Sequence, residues 1–317
     1  MIRPILAVLL LLAPAAQAQT SNAEYAAACR AAVGPLPEFS CADGMPVPIT
    51  VDGVPVTDRA PATCDRPSLL DNGPGSDGQC VPFSRILDLS TDRMQVSVMC
   101  RQKVFRSLAS MEFDEIDVIA HNPDTGATCW FQASAEEGVP VSGVRVPAPT
   151  AALDDRFWKT PQEVVADGCG DCHDNDPFMF SPFVGQVWSE VPVNPFGPYA
   201  HVGAEFGFDA WPTTAMTPRD NTCVGCHRIG IGAANYADRK VGSCAQLTDW
   251  MTGVEIPPGA DGPAGTYPLS HAMPPGFGES EEAWNVIFAQ SVAQIRSCCE
   301  DPSQTMCVLS QIPALIR

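Results

Sequence analysis

The chain has 317 residues, a formal net charge of −19 at pH 7, 14 cysteines, 31 prolines and 25 glycines. The acidic excess argues against nucleic acid as a partner, because that binding rests on Lys and Arg neutralising phosphates. It fits equally an acidity that keeps the chain soluble and a redox partner protein with a basic docking surface, drawn in by complementary charge, and the density of Pro and Gly predicts a loop-rich protein with few long periodic helices.

Met1-Ile2-Arg3 carries a positive charge, Ile5 to Leu12 is a short apolar run, and Ala16-Gln17-Ala18 is a small-x-small cleavage site. Together they predict a signal peptide over residues 1–18 and a secreted, periplasmic protein of Gram-negative type export. The apolar run is too short to cross a bilayer, and no membrane span is expected after it. In an exported chain, abundant cysteine implies disulfides. Ten of the cysteines lie outside the motifs described below. Nearest-neighbour pairing predicts Cys29–Cys41, Cys64–Cys80 and Cys100–Cys129, and leaves Cys244, Cys298, Cys299 and Cys307 open.

Residues 20–90 read as irregular, disulfide-stapled structure, with Asp71 to Gly78 a loop. Met94 to Cys100 reads as a strand. Glu115 to His121 places Ile116, Val118 and Ala120 on one face. The turn Asn122-Pro123-Asp124-Thr125-Gly126 then leads into Ala127 to Ala133, which predicts a hairpin ending at an exposed His121. Val141 to Val146 could add a strand, and Pro147-Ala148-Pro149-Thr150 resembles a linker. Residues 19–150 are therefore expected to form a disulfide-stapled, β-containing domain, and residues 151–317 a second domain.

Beyond that boundary, Thr160-Pro161-Gln162-Glu163 is a capping box with Pro at the first helical position, so a short helix should run toward Cys169. Thr217-Pro218-Arg219-Asp220 resembles it ahead of Cys223 and suggests a weak internal repeat. Glu281 to Ser297 reads as an amphipathic helix with Trp284, Ile287, Phe288, Val292 and Ile295 on one stripe.

Cys169-Gly170-Asp171-Cys172-His173 and Cys223-Val224-Gly225-Cys226-His227 are both CxxCH sequences. At this spacing two thiols can add to the two vinyl groups of one haem, and the adjoining His faces the iron. A zinc ribbon would separate its CxxC pairs by roughly 15–20 residues, whereas 50 residues lie between Cys172 and Cys223. A thioredoxin-like pair needs neither a following His nor a duplicate. Over about residues 155–300 the chain resembles c-type cytochromes on these motifs, with no named family resembled over residues 20–150.

The resemblance implies two haem c groups, held through Cys169, Cys172, Cys223 and Cys226, with His173 and His227 as proximal iron ligands. Together with the residue reading of the N-terminal half, the expected fold is α+β: a disulfide-rich, loop-rich N-terminal β-containing domain followed by a mainly α-helical di-haem cytochrome c-like domain. His201 is the candidate distal ligand of the first haem. Met273, in a Met-Pro loop ahead of the last helix, is the candidate for the second, with His271 the alternative. Aromatics between the motifs, from Phe178 to Trp211, are expected to wall the haems. Electron transfer is the expected function. The alternative is a haem enzyme or gas-binding protein with one open iron position; the motif spacing of 54 argues against the di-haem peroxidases, whose motifs occupy separate domains.

Overall fold

The computed structural model describes residues 13–68, 79–136, 138–151, 157–231, 244–257, 259–260 and 280–314. In chain order the regular elements are α1 (Ala13–Ala32), β1 (Met45–Pro46), β2 (Thr50–Val51), β3 (Val54–Pro55), β4 (Arg85–Asp88), β5 (Gln95–Arg101), β6 (Glu112–Phe113), β7 (Glu115–His121), β8 (Ala127–Ser134) and β9 (Val141–Ser142). They continue with α2 (Pro161–Asp167), β10 (Ala200–His201), β11 (Thr214–Pro218), α3 (Cys244–Met251), α4 (Glu281–Glu300) and β12 (Cys307–Gln311). Among the described residues no helix is long and apolar enough to cross a membrane.

A six-stranded mixed sheet in the order β1-β4-β5-β7-β8-β10 organises the molecule. The β7–β8 hairpin forms where the turn sequence places it, in the register His121 opposite Thr128 and Glu115 opposite Ser134. Strand alternation buries Ile116, Val118 and Ala120 on one face. Against that face pack Tyr25 and Cys29 of α1, Val164 of α2, and Tyr199, Phe208 and Trp211 of the segment between the two CxxCH sequences. The main core therefore draws on both sides of residue 150.

The expectation of a mainly α-helical second half is overturned. Among its described residues the helices are the short α2 and α3 and the 20-residue α4. Between α2 and α3 the chain carries Pro177, Pro182, Pro192, Pro195, Pro198, Pro212 and Pro218. Each removes a backbone donor and fixes φ, so this stretch settles into single 3-10 turns and short strands. β10 joins the large sheet, parallel to β8, and β11 pairs with β12.

Several local expectations hold. Thr160 and Glu163 form the reciprocal capping box, and α2 stops at Gly168, which has φ 75° and closes the helix in the left-handed conformation. α4 starts on an N-cap at Ser280 and buries Trp284, Phe288, Val292 and Ile295; Ile287, assigned to the same stripe, is 50% exposed. Thr217 and Pro218 end strand β11 rather than opening a helix. Val141 to Val146 keeps only the two-residue β9. Residues 20–90 contain most of α1, which the irregular reading of that region misses. The Asp71–Gly78 loop lies outside the described residues.

Five disulfides form: Cys29–Cys129, Cys41–Cys100, Cys64–Cys80, Cys244–Cys299 and Cys298–Cys307. Of the nearest-neighbour pairings only Cys64–Cys80 holds. Cys29 on α1 lies over the sheet at β8, not beside Cys41, so the sheet's long-range closure decides the partners. Five bridges are typical of a protein that matures in an oxidising compartment.

His121 also departs from expectation, being fully buried. Its Nδ1 lies 2.9 Å from Thr128 Oγ1 and its Nε2 2.6 Å from Asn194 Nδ2. Thr128 spends its hydroxyl proton on Gly126 O, so Nδ1–H donates to Thr128 and Nε2 accepts from Asn194, and a neutral ring is satisfied at both nitrogens. Burial, with the charge of Arg228 adding to it, pushes the pKa of His121 down to about 4. The unfolded chain, with an ordinary value near 6.5, therefore binds the extra proton as pH falls. Stability is complete above pH ~6.5 and declines toward pH ~4, by up to about 3 kcal/mol. Urea midpoints at pH 7 and 4.5 should converge for His121→Gln relative to wild type; parallel losses in the two proteins would contradict this.

Candidate haem-binding site

The two CxxCH sequences fold into the same local shape on different supports. Cys169–Asp171 and Cys223–Gly225 are each one 3-10 turn, followed by Cys172 at φ −103°, ψ −30° and Cys226 at φ −117°, ψ −26°. The first turn follows directly on α2. The second is held by Asn221, whose Oδ1 accepts from Cys223 N at 3.0 Å and whose Nδ2 donates to Ser291 O of α4 at 2.8 Å. The turn geometry thus repeats although the supporting elements do not.

The segments that leave the two motifs are stitched to each other. Asn175 Nδ2 donates to Arg228 O at 3.0 Å. Arg228 Nη1 returns a bond to Asn175 O at 3.4 Å, and Ile231 N donates to Asp174 Oδ2 at 2.6 Å. Residues distant in sequence therefore lie side by side. One cavity of ≈ 400 Å³ is lined by Cys172 of the first motif and by Cys223, Cys226 and His227 of the second; Cys169 and His173 are not among its lining residues, and Cys169 packs against the main core instead. That volume falls within the range of small-molecule and cofactor pockets. Its remaining walls are mostly apolar: Phe178, Phe180 and Trp188 from the inter-motif segment, Leu247 and Met251 of α3, and Trp284, Phe288, Val292 and Ile295 of α4. The Cys244–Cys299 bridge ties α3 to α4, fixing two of these walls to each other.

Cys169, Cys172, Cys223 and Cys226 are the four cysteines that form no disulfide. Burial holds the Cys169 thiol well above its ordinary value, with the carboxylates of Asp117, Glu115 and Asp167 adding to it. Burial pushes Cys172 up to about 12 and raises Cys223. Reactive redox thiols have depressed values, so a thioredoxin-like role does not fit these pairs. Among the described residues no three His, Cys, Asp or Glu side chains converge as an ion-binding group. A haem brings four ring nitrogens of its own and asks the protein for axial ligands alone.

Of the candidate ligands, His227 lines the cavity. Its Nδ1 lies 2.8 Å from Arg228 O, so Nδ1–H donates to the carbonyl and Nε2 keeps its lone pair. This is the usual arrangement of a metal-ligating histidine. His173 is half-buried and lies against Trp130, with ring centroids 5.0 Å apart. Its Nδ1 is a buried atom without a hydrogen-bond partner, and burial pushes its pKa down to about 4. A neutral imidazole with an unsatisfied nitrogen also suits a metal ligand. Tyr199 Oη holds the His173 carbonyl at 2.5 Å.

His201 is no free loop residue. The bonds Ala200 N to Gly126 O and Val202 N to Thr128 O, both 2.9 Å, fix it on β10 at the sheet edge. Trp130 Nε1 donates to His201 Nδ1 at 3.0 Å. Because burial keeps this ring neutral, with its pKa down at about 4, the proton resides on Nε2, which faces Pro212 O at 3.4 Å. Met273 and His271 lie outside the described residues.

Sequence reasoning missed Met251, Arg228 and Trp130. Met251 belongs to a helix too short to show periodicity, and Trp130 reaches the site from the other half of the chain. Of the aromatics expected to wall haems, Phe178, Phe180 and Trp188 line the cavity, Phe206, Phe208 and Trp211 join the main core instead, and Phe196 is 56% exposed.

The two motifs respond differently to crowding. A Cβ added at Gly170 would lie 2.3 Å from Trp211 Cγ, whereas one at Gly225 meets nothing within 4 Å. Gly170→Ala should cost about 1–3 kcal/mol and Gly225→Ala close to nothing, as measured by urea unfolding; equal costs would contradict this packing.

Comparison with known proteins finds no matching family model, no matching curated protein and no matching solved structure.

Proposed function

We propose that the chain is an exported di-haem c-type cytochrome that transfers electrons between redox partners in the periplasm. The observation that carries this reading is the sorting of the cysteines. In a chain that oxidises its other ten, the four CxxCH thiols alone stay unpaired; they lie at matching turns, and Cys172, Cys223 and Cys226 line one mostly apolar cavity. Thioether bonds to two haems account for that sorting.

When bound, each haem supplies an iron that changes oxidation state by one electron. His227 would bind iron through Nε2, oriented by the Arg228 carbonyl, and His173 would do so beside Trp130. Trp284, Phe288 and Trp188 would keep water from the second haem, and such low-polarity walls tune potential. The cross-stitching of Asn175 and Arg228 supports haems close enough to exchange electrons. The acidic surface suits a basic partner protein, whose association should slow with added salt.

A second reading has its own observation. The Trp130 indole leaves the proton on His201 Nε2, and a protonated nitrogen cannot donate to iron. The first haem would then have an open position, as in a gas-binding protein or a haem enzyme. Optical spectra distinguish the two readings. Two low-spin haems indifferent to carbon monoxide support an electron carrier. One haem that binds carbon monoxide, and loses that ability when Trp130→Phe frees His201, supports the second reading.

A further inference from the structure

We infer that Arg228 is the counter-charge for a carboxylate of the second haem and raises that haem's reduction potential. The inference rests on the proposed haem attachment at Cys223 and Cys226. Among the described residues lining the cavity, Arg228 is the cation, and Asp171, Asp174 and Asp176 line it as well. A haem carries two propionates, and in a mostly apolar cavity whose lining holds three carboxylates Arg228 is the group that can receive one of them.

Arg228 is placed to do so. Its two hydrogen bonds go to backbone carbonyls, of Asn175 at 3.4 Å and of Gly197. A guanidinium has five donors in a fixed fork, so donors remain for a carboxylate. The neighbouring acids are engaged by backbone. Asp174 Oδ2 accepts from Ile231 N and Asp176 Oδ1 from Phe178 N at 2.8 Å. Half-buried charges interact more strongly than exposed ones, and a bidentate Arg–carboxylate pair adds directional bonds. A fixed positive charge beside the haem favours the reduced iron. Arg228 is thus a positioning residue: it touches the cofactor's edge and not its iron.

The test uses the full-length holoprotein and first counts haems per chain. A wild-type chain without haem sinks the attachment reading itself, independently of Arg228. With two haems present, potentiometric titration should show Arg228→Gln lowering one potential by about a tenfold change in the reduction equilibrium, which is 59 mV for one electron. The other potential should move less, and Arg228→Lys, which keeps the charge, should recover most of the shift. Two unchanged potentials in Arg228→Gln overturn the inference. Should that variant not accumulate, Arg228→Lys carries the test through the propionate bending band of the resonance Raman spectrum. A shift from wild type supports a guanidinium–carboxylate pair, and an identical band overturns it.

Discussion

Replacing both Cys223 and Cys226 by alanine is expected to halve the haem content, from two per chain to one, while leaving the first motif loaded. The two thiols, on a 3-10 turn and at its C-cap, line a cavity together with residues of α3 and α4, and Cys223 packs against Trp284, Phe288 and Val292 of α4. Without thioethers the second haem would be held by His227 and apolar contacts alone and would be lost on purification. The first motif stands on α2 and the sheet-facing core, so it should load independently. The reciprocal pair, Cys169→Ala with Cys172→Ala, should remove the other haem and be the more damaging, because Cys169 packs against the main core and Cys223 against smaller clusters. Haem absorbance per chain measures both. Unchanged haem content in either double variant would contradict the assignment of that motif.

Removing the Cys244–Cys299 bridge is expected to cost about 4 kcal/mol in the chain-entropy description of a loop this long and to loosen the second haem's surroundings. The bridge has a sequence separation of 55 and joins α3 to α4. Both helices line the cavity through Leu247, Met251, Trp284, Phe288 and Val292. With Cys244→Ala and Cys299→Ala the thioethers would persist, but the walls could part. Reduced protein should then react with carbon monoxide at a haem that was closed in wild type. The control is the Cys41–Cys100 bridge, with a separation of 59. Its removal should cost about 4 kcal/mol and leave carbon monoxide reactivity as in wild type, because both cysteines belong to the main core and neither lines the cavity. Equal reactivity in the two variants would mean that α3 and α4 do not gate the haem.

What the sequence made legible was local. The capping box at Thr160 and Glu163, the turn at Asn122 to Gly126 and the stripe of α4 each rest on residues within a few positions of one another, and each appears in the structure. The CxxCH sequences are legible for the same reason, since each lies within five consecutive residues, and each folds as a 3-10 turn. Cys29–Cys129 and Cys41–Cys100 were not legible, because their partners meet only once the sheet has assembled. His121 read as an exposed strand end, but Asn194, far along the chain, covers it. His201 read as a loop residue because two strand residues give no alternation to see. The helical second half was an expectation carried by resemblance to cytochromes, and the prolines between the motifs outweigh it. Arg228, next to His227 in sequence, drew no notice, since its value lies in the charge of the cavity around it.

The most direct test of the central claim is the intact mass of the protein exported from a host with a haem c maturation system, followed by peptide mapping. The predicted result is a gain of two haems, carried by the peptides that contain Cys169 with Cys172 and Cys223 with Cys226, alongside five disulfides among the other cysteines. A chain of unmodified mass with all four of these thiols titratable would contradict it.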